Sequence, residues 1–557
     1  GYGKTSDSGS GVLLSTSQTS VSITGNYFYE CIGNVITLSS SSNCSITSNF
    51  IYGTTNTLSA ITQTGANTIT ANNNIIGIPT SSTIIYISDI NNAILGNNIF
   101  NCSGVGINLN NKSECICCGN TLYGVGSNGN AITSIGTRNL ITDNYIYNYC
   151  LDSTYTSMSF YSGASDSCVI NNLIKNCGGT GINVNNGQRN LISNNHLSGN
   201  SNSANGIINV HKNSIISDNI ITDYGNAAGS NKGINSVSGD TTISNNSIYN
   251  CGSNLITGID LANSPHYLVI GNTIGETDSY PSQFGINVNN SQFSMILDNL
   301  VICSQTGVSD KNIINNVGVS SFVCNNYLIG ANYYGIDISG DDVVCSGNYI
   351  YNSYYDSINI DSNLSNFYIC NNYIYEPGNN GVTINDSCSN GIIGNNFIEG
   401  AEYGINSDND VINSTIYNNM IIGSVNDCIK LSSSNYMSIL NNYMTTGNGI
   451  QTTLSTNSLI ANNYLFSCKY GIDISNSDKS IITSNYIHNA FGGNSISLSE
   501  CDNCLVDGNY TNSSYGDSIS VSICRFTNIV GNSIGYSSGS GIYDDLSNNM
   551  SILNNYL

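Results

Sequence analysis

Tryptophan is absent, only 4 of the 557 residues are proline, and 12 lysines and arginines stand against 35 aspartates and glutamates. Each shortage excludes something. A net charge of −23 repels nucleic acid and anionic lipid, so neither is expected as a partner. No run of 18 apolar residues occurs, so no membrane-inserted helix is expected. Gly1 opens a polar stretch rather than a signal peptide, and the numbering is expected to begin at a mature terminus. Four scattered histidines (His196, His211, His266, His488) and 6 methionines offer no imidazole or thioether cluster for copper. Charged residues are 8 % of the chain, against ~25 % in globular domains. Disorder is excluded as well, because 39 % of residues are hydrophobic and 37 are tyrosine, and disordered chains lack both.

What is present repeats. A small or polar residue, Asn, any residue and then an aliphatic recur, as in Ser48-Asn49-Phe50-Ile51, Asp143-Asn144-Tyr145-Ile146, Asn371-Asn372-Tyr373-Ile374 and Ser484-Asn485-Tyr486-Ile487. The phrase returns at a mean spacing of about 24 residues from Asn26 to Asn555, a period that marks a repeat architecture. Between its copies lies Gly-Ile-Asx-Ile/Val, as in Gly181-Ile182-Asn183-Val184, Gly285-Ile286-Asn287-Val288, Gly335-Ile336-Asp337-Ile338 and Gly471-Ile472-Asp473-Ile474. A third short segment precedes the Asn, as in Lys479-Ser480-Ile481-Ile482. All three alternate apolar and polar, the period of strands. Three short strands per repeat and no helix between them predict an all-β fold. The expectation is a single right-handed parallel β-helix of about 23 coils, one continuous domain over residues 1–557 without capping domains. Right-handedness follows from the crossover rule for parallel strands. Coils ~4.8 Å apart make a rod. The recurrent Asn points inward by period two. Asn144, Asn195, Asn372, Asn396, Asn442 and Asn485 are therefore expected in one corner ladder of side-chain hydrogen bonds, with Asn also supplying the left-handed turn of the corner.

The repeat resembles that of the pectin-lyase-like superfamily of parallel β-helices. That resemblance implies a solenoid and admits several functions: polysaccharide lyases and hydrolases, copper-binding periplasmic proteins, phage tailspikes and archaeal surface proteins. Lyases of this group hold Ca²⁺ with Asp clusters and abstract a proton with Arg or Lys, and the hydrolases carry close Asp pairs. Here the arginines are Arg138, Arg189 and Arg525, and no Asn-Thr-Asp or Arg-Ile-Lys phrase occurs. Acid–base work needs groups converging on one substrate atom, and none is visible in the linear sequence. No catalytic residue and no metal site is therefore assigned, and the chain is expected not to be an enzyme. Asp341 and Asp342 with Asp337 offer oxygen ligands to Ca²⁺, but a solvated turn accounts for them too, and no cofactor is expected.

Three further groups of residues invite assignment. Cys501 and Cys524 share a phase, Cys150 and Cys177 nearly so, and Cys324, Cys345 and Cys370 suggest a third column; disulfides between coils are expected, with buried thiols the alternative. Tyr327, Tyr349 and Tyr373, and Tyr443, Tyr464, Tyr486 and Tyr510, follow the ladder Asn and face outward in vertical stripes. Such stripes fit lateral contacts between copies, sheet-stabilising stacks or a glycan. Finally, the coil pattern is already running at Gly11-Val12-Leu13 and still running at Tyr556-Leu557, which suggests open ends that assemble head to tail. The resulting expectation is a structural subunit of an extracellular cell-surface polymer, with a compositional resemblance to methanogen sheath proteins. The alternative is a polysaccharide-binding or polysaccharide-degrading β-helix.

Overall fold

The computed structural model describes residues 11–53, 59–78, 83–110, 113–124, 129–161, 163–185, 187–209, 211–225, 227, 231–249, 255–261, 264–275, 284–289, 291–303 and 312–557. Two compact units are distinguished, Gly1–Ile286 and Asn287–Leu557, and each is a parallel β-solenoid; among the described residues there is no helix. Among the described residues, successive coils contribute strands to three sheets. The first sheet takes the strand before the recurrent Asn, such as Tyr368–Cys370. The second takes the strand after it, such as Tyr373–Tyr375. The third takes the Gly-Ile-Asx-Ile strand, such as Ile358–Ile360. Each strand pairs in parallel with its equivalent one coil on, for example Tyr373↔Phe397 in the second sheet and Ile358↔Val382 in the third.

Strands this short hold no stability of their own, so the core does the work. Ile350, Ile374, Ile398, Ile421, Met444, Leu465 and Ile487 stack at the middle of successive second-sheet strands, all fully buried. Full burial of one such side chain contributes about 1.5–3 kcal/mol, and the repeat supplies one per strand. β-branched isoleucine suits a pleated, buried surface.

The recurrent Asn joins the first and second sheets. Asn372 donates to Asn396 Oδ1 through both its main-chain N–H and its Nδ2, at 2.9 and 3.0 Å, and Nδ2 also donates to Cys345 O at 3.0 Å. The pattern recurs from Asn144 to Asn172, Asn195 to Asn219, Asn396 to Asn419, Asn442 to Asn463 and Asn485 to Asn509. The ladder tolerates coils of different length, because the Asn-to-Asn interval runs from 21 to 28 residues. The left-handed conformation falls elsewhere than expected. It belongs to the residue before the ladder Asn, as at Ser48, Asn371, Asn395 and Ser484, with φ between 54° and 58°. Small polar residues precede the Asn for that reason, since they tolerate positive φ.

The expected disulfides are not present: Cys150, Cys177, Cys324, Cys345, Cys370, Cys501 and Cys524 are all free thiols. The third column fails on register. Cys324 and Cys370 both pair with Ser346 on the outward row, while Cys345 points inward between Val323 and Ile369. Cys501 and Cys524 do lie one above the other, but as members of a corner ladder otherwise built from serine. Ser455 N–H donates to Ser477 Oγ, Ser477 N–H to Cys501 Sγ, Cys501 N–H to Cys524 Sγ and Cys524 N–H to Ser547 Oγ. A thiol standing in for a serine hydroxyl needs no oxidation to be useful there. Cys150 Sγ likewise donates to Gly129 O at 2.9 Å, and Cys177 Sγ to Lys175 O at 3.4 Å. Denaturing, non-reducing alkylation followed by intact-mass measurement is expected to label all seven of these cysteines; an unlabelled pair among them contradicts the free-thiol assignment.

Candidate functional site: an acidic groove on the third sheet

The tyrosine stripes are continuous stacks. In the second sheet of the Asn287–Leu557 unit, Tyr327–Tyr349, Tyr349–Tyr373 and Tyr373–Phe397 have ring centroids 4.4, 5.1 and 4.5 Å apart with planes within 7° of parallel. Tyr443, Tyr464, Tyr486 and Tyr510 continue after Met420, with spacings of 5.2, 4.7 and 4.7 Å. This geometry bears on the glycan reading and leaves lateral contacts untouched. A sugar stacks on a ring face, and inside each run both faces are covered by the rings above and below, so only edges and hydroxyls meet solvent. The stripes stabilise the sheet by pairing across strands and offer little to a pyranose.

The third sheet is different. In the same unit its outward row runs Asp337, Asn359, Thr383, Asn406, Lys430, Gln451, Asp473, one residue per coil. Although outward, Asp337, Asn359, Thr383 and Asn406 are each no more than 9 % exposed, so little of this stretch of the row meets solvent. Asn359 Nδ2 donates to Asp337 Oδ1 at 2.8 Å and to Asp361 Oδ1 at 3.0 Å, holding two carboxylates to one amide nitrogen. Asn385 Nδ2 donates to Asn359 Oδ1 at 2.9 Å, and Asn406 Nδ2 to Asp408 Oδ1 at 3.1 Å. At the entry to these strands Asp356 Oδ1 accepts from Asn379 Nδ2 at 2.8 Å and from Asn380 N–H at 2.9 Å. A depression of about 460 Å³ opens beside it, lined by Asn352, Ser353, Tyr354, Tyr355, Gly378, Asn379 and Glu402. Tyr354 is 59 % exposed. Lys430 Nζ lies 4.7 Å from the centre of the Tyr403 ring, a cation–π contact.

Burial makes these carboxyls unusual. Asp337 is pushed up to about 6, chiefly by burial and secondly by the charge of Asp361, against the Asn359 hydrogen bond. Asp356 is pushed up to about 6, again chiefly by burial. Asp361, Asp427 and Asp473 are raised by burial too. Buried carboxyls raised in this way make the row a candidate functional site. The fold does not require them. In the Gly1–Ile286 unit the equivalent row reads Tyr86, Asn108, Thr133, Ser159, Asn183, Ile208, Asn235, Asp260, with one carboxylate, ion-paired to Lys232.

The sequence reading assigned no catalytic residue; it weighed Asp337 only as a Ca²⁺ ligand and did not single out Asn359, Asp361, Asp356 or Asp473 as site residues. Asp341 and Asp342, weighed with Asp337 for Ca²⁺, are turn residues: Asp341 Oδ1 accepts from Ser365 N–H and Oγ at 2.6 and 3.1 Å, and Asp342 Oδ1 from Asn366 Nδ2 at 3.0 Å. Among the described residues no group of three or more His, Cys, Asp or Glu is arranged to hold a metal ion. Val12 and Leu13 lie in a third-sheet strand that begins after Gly11 and pairs with Ile36–Leu38; Tyr556 bridges to Ser533, and Leu557 is exposed.

A family model described as "Right handed beta helix region" matches residues 119–274. The coils are right-handed. No curated protein sequence matches the chain. Among solved structures, the A-module of a mannuronan C-5 epimerase of Azotobacter vinelandii is 14 % identical, with 60 % of this chain and 92 % of that one covered at a TM-score of 0.37. A DFA-IIIase of Arthrobacter chlorophenolicus is 13 % identical over 52 % of this chain and 85 % of its own, at 0.36. The catalytic unit of an α-1,3-glucanase of Streptomyces thermodiastaticus is 13 % identical over 60 % and 63 %, at 0.32. At such identities and scores none of these assigns this chain an activity or a substrate. They nevertheless correct one expectation: the proteins this chain is similar to are epimerases and hydrolases, so the expectation that it is not an enzyme is withdrawn. The reading as a sheath or surface-layer subunit gains no support from them.

Proposed function

We propose that the chain is a polysaccharide-acting β-helix protein of the cell exterior or envelope, which binds a glycan strand along the third-sheet groove of its Asn287–Leu557 unit. One observation carries this reading: Asp337 and Asp361 converge on Asn359 at the floor of the groove, with Asp337 held near neutrality by burial and by its partner's charge. A pair of carboxyls facing one site is what acid–base attack on a glycosidic bond requires. In this reading Asp337, raised by burial and then by the charge of Asp361, gives its proton to the leaving oxygen. Asp361, as the carboxylate, takes a proton from the water that adds to the anomeric carbon as the glycosidic bond breaks, and Asn359 fixes the spacing of the two. The exposed ring of Tyr354 and the amides of Asn352 and Asn379 hold the adjoining sugars.

The test is release of reducing ends from a panel of polysaccharides. Asp337→Asn and Asp361→Asn are each expected to lower turnover by about 10²–10⁴-fold, the contribution usual for a positioned acid or base, with far-UV circular dichroism unchanged. Activity should decline as pH rises through about 6, where Asp337 loses its proton. Turnover that survives both substitutions moves the chemistry elsewhere. Binding that resists them as well removes the groove from the function.

A further inference from the structure

We propose that the second sheet of the Asn287–Leu557 unit is a dimer interface, covered in solution by the same face of a second copy of this chain. Parallel sheets are normally covered on both faces, and their strands then read as near-continuous apolar runs. The strands here read that way, as in Tyr373-Ile374-Tyr375 and Tyr464-Leu465-Phe466, although within one chain only the inner residue of each is buried. From Leu300 to Asn512 ten successive strands turn two residues each outward. One row, Leu300 to Tyr510, is aromatic or apolar throughout: seven tyrosines with Leu300, Phe397 and Met420. The other, Ile302 to Asn512, includes three isoleucines, Tyr351, Tyr375 and Phe466. Glu399 is the one carboxylate in the two rows, and neither holds Lys or Arg.

Three arguments point to a second copy as the cover. The first is area. Ile302, Tyr327, Tyr373, Met420, Tyr464 and Phe466 are each 36–43 % exposed. At about 200 Å² for a whole large side chain, these six leave roughly 450 Å² bare. The half-buried members between them bring the face to the ~800 Å² per partner of a stable interface, more than a monomer ordinarily leaves open. The second argument is charge. At −23 per chain, two copies repel wherever their acidic surfaces meet, and this face adds only Glu399 to that repulsion. The third is self-complementarity. The rows repeat once per coil, so a second copy offers the same spacing, and a two-fold axis through the face sets row against row. The ring stacks leave tyrosine edges and hydroxyls outward, and a phenolic hydroxyl both donates and accepts, so it pairs with its own kind. Tyrosine is enriched at protein interfaces for related reasons.

Sedimentation equilibrium of the full chain over a concentration series tests this. The expected species at high concentration has the mass of two chains. Its association constant should rise about ten-fold between ~20 and ~300 mM salt, because screening removes the repulsion between like-charged copies and leaves the apolar contact intact. Met420 stands near the middle of the face, between the two runs of stacked rings, so replacing it breaks no ring pair. Met420→Glu brings two new carboxylates together across the axis and should weaken association about 100-fold. Met420→Thr trims the same site without charge, in a residue suited to strands, and should weaken association about ten-fold; it keeps the test decisive if the glutamate variant fails to fold, which far-UV circular dichroism reports. Phe322→Glu adds the same charge on the outward row of the first sheet, at a residue 43 % exposed, and should associate as the parent does. A chain that stays monomeric at high salt overturns the proposal. So does association that loosens as salt rises, or that Phe322→Glu weakens as much as Met420→Glu.

Discussion

Asn372→Ala is expected to destabilise the Asn287–Leu557 unit by about 4 kcal/mol, a large fraction of the stability of any folded unit. The substitution takes one acceptor from two donors at once, because the main-chain N–H and the Nδ2 of Asn348 both end on Asn372 Oδ1 at 3.0 Å. It also takes the Nδ2 donor from Cys345 O and from Asn396 Oδ1. Asn348, Asn372 and Asn396 are each about 1 % exposed or less, so water cannot replace what is lost, and each orphaned group costs about 1–3 kcal/mol. Asn372→Asp is instructive beside it. The carboxylate still accepts from Asn348 but donates nothing to Cys345 O, and it buries a charge; its deficit should shrink at low pH, where the acid form regains a donor. Asn409→Ala, at an exposed position with one 3.3 Å side-chain bond to Asp386, should change stability by no more than about 0.5 kcal/mol. Urea unfolding followed by circular dichroism, or by tyrosine fluorescence since tryptophan is absent, measures all three. An Asn372→Ala loss as small as that of Asn409→Ala would mean that the ladder decorates the corner rather than holding it.

That ladder was legible in the sequence because it depends on one residue type at one phase. Asn is the side chain that both donates and accepts along a stack, and its recurrence before an aliphatic fixed the inward direction by period two. The strands were legible on the same ground. Two things were not. The left-handed corner residue precedes the Asn, and its variety (Ser48, Asp143, Asn371, Gly508) hides it, because several residue types tolerate positive φ. The groove was hidden for a different reason. Its members lie about one coil apart, at 337, 359, 383, 406, 430, 451 and 473, and a search for short catalytic phrases reads along the chain, whereas the solenoid brings residues together across it. The Gly-Ile-Asx-Ile copies already carry the phase of this row. Stacking them by that phase puts Asp337, Asn359 and Asp473 on one outward line, and the residue two places on adds Asp361 and Asp408. What no phase could give is the burial of that line, which raises the affinity of its carboxyls for protons. Cysteine misled by the converse error: a shared phase was enough for stacking in Cys501 and Cys524, but stacked thiols at a serine position are satisfied as hydrogen-bond partners.

The burial of those carboxyls sets the second large expectation: the Asn287–Leu557 unit should be more stable at pH 4.5 than at pH 7.5. Asp337 and Asp356 are pushed up to about 6 in the folded chain from an ordinary 3.8. Between these two values the folded state binds the proton and the unfolded state does not, so stability falls as pH rises through the window. The stabilisation is fully present below about 4, is lost through about 6, and the curve is flat above about 7. A ten-fold gain in proton affinity on folding is worth about 1.4 kcal/mol. The pair therefore contributes at most about 6 kcal/mol, and roughly 3–4 after allowance for the partial exposure of their surroundings. Asp361, Asp427 and Asp473 add in the same direction, being raised by burial as well. This is the reverse of ordinary acid denaturation, in which paired carboxylates are lost on protonation. The double variant Asp337→Asn, Asp356→Asn separates the cause. Its amide oxygens can still accept from Asn359, Asn379 and Asn380, while the buried charge is gone. It should therefore be more stable than the parent at pH 7.5 and keep, between pH 4.5 and 7.5, only the dependence that Asp361, Asp427 and Asp473 contribute. Urea midpoints at the two pH values decide the matter. A parent that gains stability on going from pH 4.5 to 7.5, or a double variant weaker than the parent at pH 7.5, would show these carboxyls to be paired and solvated, and the case for a poised acid in the groove would fall with them.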